Sequence, residues 1–375
     1  MDTEATLIIA SSERDADLYY ATRFLAPDPF VFLEVDGQKI LVMSDLELDR
    51  AKSQARVDRV LAASRYREAL KARGVPHPET LDVVDAVLAE LGIRKLLVPA
   101  TFPVAYADGL RKRGYSLRFK KEPFFEQRTV KTPEELAAIT ESLRAAEAVL
   151  GEALEVIRRA EIRGGILYAD GEPLTSQRLK RFIETALLQR GCTAQHTIVA
   201  SGEQACDPHH EGDGPLLADR SIILDIFPCS TATRYYADIT RTVIRGKAPP
   251  QLRAMYQAVR EAQEVAFGLI REGAVGQEVH RAVADFLKGK GYETGTKDGR
   301  MQGFFHGTGH GLGLEVHEPP RIGPGATAPL QAGNVVTVEP GLYYPGTGAV
   351  RLEDLVVVEK NGCRNLTAFP KDLEL

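Results

Sequence analysis

The sequence predicts an α/β domain followed by an α+β domain, and three observations carry that reading. The chain has 375 residues, more than one hydrophobic core usually supports, so two domains are expected. Up to residue 126, strand-like and helix-like stretches alternate, the pattern of a mixed α/β sheet. A long amphipathic helix then opens residues 127–375. From about residue 194 the stretches outside helices are mostly alternating strand runs and Gly/Pro turns.

The elements follow in order. Within residues 1–126, TLIIAS, FVFLEV, KILVMS and KLLVPA read as buried strands. AKSQARVDRVLAASRYREALKARG and ETLDVVDAVLAELG read as helices. The segment EPFFEQRTVKTPEEL reads as the junction. Thr132 with Glu135 three residues later forms a capping box, and Pro133 takes the first helical position. Leu136, Ile139, Leu143, Val149, Leu150, Leu154 and Ile157 follow at close to helical spacing. Further helices are expected over TSQRLKRFIETALLQRG, QLRAMYQAVREAQEVAFGLIREG and GQEVHRAVADFLKGKG. No short repeat and no low-complexity linker is visible.

Composition narrows the function classes. Apolar residues make up 44% and charged residues 26% of the chain, as in a soluble globular enzyme. The net charge of −5 comes from interspersed signs, which points to neither a nucleic-acid nor a membrane partner. Asp2 and Glu4 stand where a signal peptide would carry basic residues, so none is expected. No apolar run approaches the roughly 18 residues of a spanning helix. Cys192, Cys206, Cys229 and Cys363 lie far apart without a CxxC pair, and read as thiols of a reducing, cytoplasmic compartment. Cys206 and Cys229 sit near the acidic segments, but thiolates would favour a softer, tetrahedral site than the oxygen-rich one available.

Five side chains of the last third carry the chemistry. Asp225 and Asp238 lie thirteen residues apart in LDIFPCSTATRYYADITRT, within two β-rich runs. Paired as a hairpin, those runs can project both aspartates from one face. Asp225 is flanked by Ile222, Ile223, Leu224 and Ile226, surroundings in which a carboxylate is costly without a cation or donors. Glu339 follows the apolar run NVVTV and precedes Pro340-Gly341, while Glu353 sits within GAVRLEDLVVV. Arg351, two residues before Glu353, is expected to share its strand face and orient it. The competing reading there is a buried Arg–Glu pair without metal.

HGTGHGLGLEVHE holds His306, His310 and His317. The 306–310 spacing imitates a helical HxxxH zinc pair, but four glycines argue against a helix. In a turning segment these histidines can reach one cavity, and glycine allows close backbone approach. His196 and His280 stand alone and read as structural. Asp225, Asp238, His310, Glu339 and Glu353 supply four carboxylates and one imidazole. That set balances two divalent cations and leaves a bridging hydroxide as the excess charge, the arrangement of a two-metal hydrolase.

The pattern D…DITRT, HGTGHGLGLEVHE, EPG and VRLED resembles the pita-bread metallopeptidases, closest to the Xaa-Pro branch of prolidases and aminopeptidases P. The likeness covers nearly the whole chain. ERDADLYYATRF and ILVMSDLE resemble the small domain shared with creatinases, and Arg128-Thr-Val-Lys131 resembles the family's R-x-x-K junction. The resemblance implies a creatinase/prolidase-like N-terminal domain over 1–126 and an α+β pita-bread catalytic domain over 127–375. It also implies that Asp225 binds one metal, Asp238 and Glu353 bridge both, and His310 and Glu339 bind the second. Glu339 would serve as general base and acid. His209 in ACDPHHEG and His317 would be the substrate-side histidines, with His306 just outside the metals.

The activity so implied is hydrolysis of the Xaa-Pro bond, foremost in dipeptides, with aminopeptidase action on longer peptides as the alternative. A dipeptidase must capture the carboxylate of the terminal proline, and Arg321 in HEPPRIGPG is the candidate. Oxygen-rich ligation with one imidazole suits Mn, Co, Fe or Zn. Homodimerisation belongs to the same resemblance. Two departures stand out: Phe227-Pro228 occupies a site where relatives have glycine after the first ligand, and the Asp–Asp spacing is two residues longer. An even insertion keeps both aspartates on one face. Creatinase-type metal-free hydrolases and non-catalytic relatives lack ligands that this chain retains, and methionine aminopeptidases lack the extra N-terminal domain.

Overall fold

The structure is a computed structural model describing residues 4–375. Asp2, one of the acids set against a leader, lies outside the described residues. The chain divides between Glu126 and Gln127 into two compact units.

The first unit is built on β1 (Glu4–Ala10), β2 (Phe30–Val35), β3 (Gln38–Met43), β4 (Arg59–Ala62), β5 (Lys95–Pro99) and β6 (Ser116–Lys120). They form one mixed sheet in the order β4-β3-β2-β1-β5-β6. β1, β2 and β3 run antiparallel, while β4, β5 and β6 join in parallel. Side-chain alternation buries both faces. Leu7, Leu33 and Ile40 pack with α3 (Ala63–Ala72), α4 (Thr80–Glu90) and α5 (Val104–Lys112). Ile8, Phe32 and Leu41 pack with α1 (Ala16–Thr22) and α2 (Asp45–Gln54).

The single helix expected over residues 51–74 is corrected. α2 ends at Gln54, β4 intervenes, and α3 starts at Ala63. β4 pairs in parallel with β3, and there Val60 joins one apolar cluster while Leu61 joins the opposite one. That two-residue alternation at a sheet edge overrides the helix-forming composition around it.

The second unit opens with α6 (Pro133–Arg159). Its capping box forms as expected: Glu135 N donates to Thr132 Oγ1 at 3.2 Å, and Thr132 N donates to Glu135 Oε2 at 3.0 Å. A three-stranded meander of β7 (Glu161–Arg163), β8 (Ile166–Ala169) and β9 (Glu172–Pro173) precedes α7 (Ser176–Gln189) and β10 (Cys192–Thr193). β11 (Ile198–Ser201), β12 (Ile222–Ile226) and β14 (Ile239–Val243) form a second sheet, and β13 (Cys229–Ser230) pairs with β10.

After α8 (Pro250–Leu269), α9 (Gly276–Gly289) and the hairpin of β15 (Gly295–Lys297) and β16 (Arg300–Gln302) comes a five-stranded sheet. It orders β18 (Glu318–Ile322), β17 (Gly309–Gly311), β19 (Val335–Val338), β22 (Asp354–Glu359) and β23 (Gly362–Asn365). β20 (Gly341–Tyr344) and β21 (Gly348–Arg351) form a hairpin. Val259 of α8 and Val283 of α9 pack with Val336, Val338 and Val356 in one core. A bridge between Thr240 and Glu353 connects β14 to the turn before β22, and so joins two sheets at the acidic residues.

Candidate active site

β12 and β14 pair antiparallel with Asp225 opposite Thr240 and Ile226 opposite Ile239. Asp238 immediately precedes β14, two residues from Thr240, so it shares the face of Asp225. The even insertion thus leaves alternation intact. The aspartates are 8% and 4% exposed, and Oδ1 of each has no hydrogen-bond partner among the described residues. A buried carboxylate oxygen left without a donor costs about 1–3 kcal/mol or more, so these atoms call for a cation.

β17 and β19 bring in the imidazole and a third acid. His310 N donates to Thr337 Oγ1 at 3.0 Å. The ring's Nδ1–H donates to Gly311 O at 3.2 Å, which leaves the Nε2 lone pair facing inward. Nε2 lies 3.3 Å from Glu339 Oε1 and 3.9 Å from Asp238 Oδ2. Glu339 is set by its N–H to Thr308 O at 2.8 Å and by Thr337 Oγ1, which donates to Oε1 at 3.4 Å. β17 approaches β19 so closely that a Cβ on Gly309 would lie 1.9 Å from Thr337 O. Glu353 completes the group: its N donates to Thr240 O at 3.1 Å, and Thr240 Oγ1 donates to Oε2 at 2.7 Å. Ligating atoms of Asp238, His310 and Glu353 all lie within 4.8 Å of one another.

Without a cation this cluster resists charge. Burial, reinforced by the neighbouring carboxylates, raises Asp238 and Glu353 well above the ordinary carboxylate range. Burial also pushes Glu339 up to about 7. His310 falls to about 3, chiefly through burial and then through His317, so its ring is a neutral ligand. Orphaned aspartate oxygens, an inward lone pair and mutually repelling acids fit divalent cations with oxygen-rich ligation.

All five residues line one cavity of about 930 Å³, together with His209, His306, His317, Arg321 and Arg351. Arg351 lines the same cavity as Glu353 and reaches it through Thr240: Arg351 Nε donates to Thr240 Oγ1 at 3.4 Å, and that hydroxyl donates to Glu353. Arg351 Nη2 donates to Asp225 Oδ2 at 2.6 Å, and Nη1 donates to Tyr343 Oη at 2.9 Å.

His306 donates from Nδ1 to Gly307 O at 2.8 Å and accepts at Nε2 from Tyr343 Oη at 2.9 Å. Burial, then Arg351, holds it neutral near 3. Both ring nitrogens are engaged by the protein, leaving only the ring face to a ligand. His317 packs edge-to-face on His310, ring centroids 4.3 Å apart. Arg321 sits directly across from His310 in the β17–β18 register and makes no ion pair among the described residues.

The solitary histidines divide. His280 faces Thr308 Oγ1 at 3.0 Å and packs on Phe304, a structural role. His196 is joined to Glu211 at 2.7 Å and stands at the cavity wall. Neither Cys206 nor Cys229 lines the cavity, whereas Phe227 does. Sequence reasoning missed Tyr343, Thr240 and Thr337. Tyr343 is fully buried with its hydroxyl pushed up to about 12 by burial. Its only local signal is a tyrosine two residues beyond the Glu339-Pro-Gly turn, and nothing adjacent marks the threonines.

Residues 137–360, more than half of the chain, match the model of metallopeptidase family M24, and the chain belongs to that family. An uncharacterised peptidase, YqhT, of Bacillus subtilis is 40% identical over 47% of each chain, so this match spans about half that relative's length. The Xaa-Pro dipeptidase of Pyrococcus furiosus is 26% identical over 91% of this chain and 88% of its own. Among solved structures, an Xaa-Pro dipeptidase from Bacillus anthracis superposes with a TM-score of 0.83 at 25% identity, covering 100% of this chain and 95% of its own. An X-Pro aminopeptidase from Thermotoga maritima shares the fold, with a TM-score of 0.80 at 24% identity over 100% and 98% of the two chains. The expected architecture is thereby borne out: an N-terminal mixed-sheet domain with the pita-bread catalytic fold of the prolidases.

Proposed function

We propose that this M24 metallopeptidase hydrolyses the Xaa-Pro bond of dipeptides, with residues 1–126 as the prolidase-type N-terminal domain and 127–375 as the catalytic domain. The observation that carries the dipeptide reading is Arg321, a cation without an ionic partner among the described residues, in the wall of the acidic cavity. A free proline carboxylate is the ligand that a guanidinium binds best. The names borne by the Pyrococcus and Bacillus relatives support the proline preference.

In this reading Asp225, Asp238, His310, Glu339 and Glu353 would together hold two divalent cations. Mn, Zn or Co suits these donors. When bound, the cations supply Lewis-acid polarisation of the attacking water and the scissile carbonyl. Glu339 takes the proton of that water at its carboxylate and passes it to the imino nitrogen as the C–N bond breaks. Thr337 and the main-chain bond to Thr308 keep that carboxylate aimed. His209 and His317 donate hydrogen bonds to the developing oxyanion or the leaving nitrogen. Arg321 receives the terminal carboxylate. The Xaa-Pro amide lacks an N–H for the enzyme to grip, so binding relies on its two ends. A homodimer acting in the cytoplasm completes the proposal.

The test compares kcat/KM on Ala-Pro and Ala-Pro-Ala, with metal content measured on the same protein before and after chelation. The expected result is faster cleavage of Ala-Pro, lost on chelation and restored by manganese or zinc. Faster cleavage of the tripeptide would reassign the enzyme as an aminopeptidase, and activity independent of metal would remove the hydrolase mechanism.

A further inference from the structure

Arg128 and Lys131, which approach the start of α6, are 7% and 9% exposed although charged. Their segment is tied down by Lys131 N to Gly333 O at 2.9 Å and by Asn334 Nδ2 to Thr129 O at 2.8 Å. Both cations converge on Glu318, itself 3% exposed. Lys131 Nζ donates to Oε1 at 2.7 Å and Arg128 Nη2 donates to Oε2 at 2.9 Å. The same Arg128 nitrogen lies 2.8 Å from Glu315 Oε2. One guanidinium therefore holds the residues two before and one after His317.

The backbone makes this clamp consequential. β17 and β18 pair with His310 opposite Arg321 but Gly311 opposite Glu318, a bulge of two residues at Pro319-Pro320. Such a bulge re-aims the side chains beside it. The returning loop carries His317 onto His310. Gly313 leaves space for the clamped carboxylate, since a Cβ there would stand 2.6 Å from Glu318 Oε1. Buried ion pairs contribute little net stability relative to apolar replacements, and their best-attested use is to fix geometry.

We propose that Arg128 and Lys131 are positioning residues for His317, acting through Glu315 and Glu318. The inference rests on the reading of His317 as a substrate-side donor, and deepens it. The two cations set the height of the 312–318 loop, and through it the direction in which the imidazole faces the cavity. Neither of the two is among the residues that line the cavity.

The experiment places Lys131→Met and Lys131→Arg in the full chain, each with and without His317→Ala. The manganese-loaded proteins are assayed on Ala-Pro for kcat, KM and metal content. Lys131→Met is expected to lower kcat about tenfold to hundredfold, as supporting residues of a site typically do. Metal content should hold, KM should stay within about threefold, and Lys131→Arg should recover most of kcat. In the His317→Ala background the same substitution should change kcat by less than about twofold. An equal loss in both backgrounds, or no loss in either, overturns the positioning role alone. His317→Ala with undiminished kcat overturns the reading of His317 and the proposal with it. Should Lys131→Met fail to fold, Arg128→Lys keeps both charges and carries the same comparison. A loss confined to the background retaining His317 supports the proposal, and a shared or absent loss overturns it.

Discussion

Arg351 Nη2 donates to Asp225 Oδ2 at 2.6 Å, while Nη1 of the same guanidinium donates to Tyr343 Oη at 2.9 Å. Tyr343 in turn donates to His306 Nε2, so one cation aligns a proposed metal ligand with a buried phenol and a neutral imidazole. Arg351→Met removes that alignment. Its expected effect is a metal affinity about tenfold to hundredfold weaker, read by titration calorimetry with manganese. Arg351→Lys should recover little, because an ammonium cannot reproduce the planar fork. Unchanged affinity in Arg351→Met would show that Asp225 needs no orienting partner.

Glu339→Gln keeps the size and one carbonyl oxygen of the side chain but cannot take a proton. The expected result is a kcat on Ala-Pro reduced by about 10²- to 10⁴-fold with little change in KM. Rapid-quench rates on protein of verified metal content check it. A loss that vanishes once metal occupancy is restored would mean that Glu339 is a ligand only.

The same residue makes a pH prediction. Burial raises Glu339 to about 7 from 4.5 in the cation-free protein. Between those values the folded chain holds a proton that the unfolded chain has released. Its contribution to stability is therefore complete below about pH 4.5 and lost as pH rises toward 7. His306 and His310, both lowered, act in the opposite sense below pH 6.5, so the comparison must be with Glu339→Gln. Relative to that variant, the cation-free protein should lose roughly 2–3 kcal/mol across the window. Urea unfolding in chelator at several pH values measures this, and a flat difference would contradict it. Added manganese at pH 7 should stabilise the unsubstituted protein more than it stabilises Glu339→Gln.

Arg321→Ala is expected to raise KM for Ala-Pro by about ten- to hundredfold, the worth of one charge-assisted hydrogen-bonded contact. Ala-Pro-Ala, which presents no carboxylate at that position, should lose far less. Steady-state kinetics on the two substrates decide it, and equal losses would assign Arg321 a general electrostatic effect on the cavity.

Much of the fold is legible because local periods are strong where burial is deep. α6 follows from the capping box at Thr132 and Glu135 and from a buried stripe through Ile139, Leu143, Leu150 and Ile157. The break at β4 is illegible, because only pairing with β3 distinguishes Arg59–Ala62 from its helical flanks. α5 buries Ala107 and Leu110 alone, too few residues to write a period. At the site, Asp225 and Glu353 are conspicuous as acids inside apolar strands, and the structure brings both to one cavity wall.

The sequence by itself determined which side chains could not be left uncompensated, because the cost of burying a charge is written in its immediate neighbours. Tertiary structure alone decided what compensates each one. Arg351 lies 126 positions from Asp225, and Lys131 lies 187 from Glu318. Such partners meet only through strand register and a two-residue bulge. A shift of one residue in either would exchange the faces, and no local pattern in the chain records that choice.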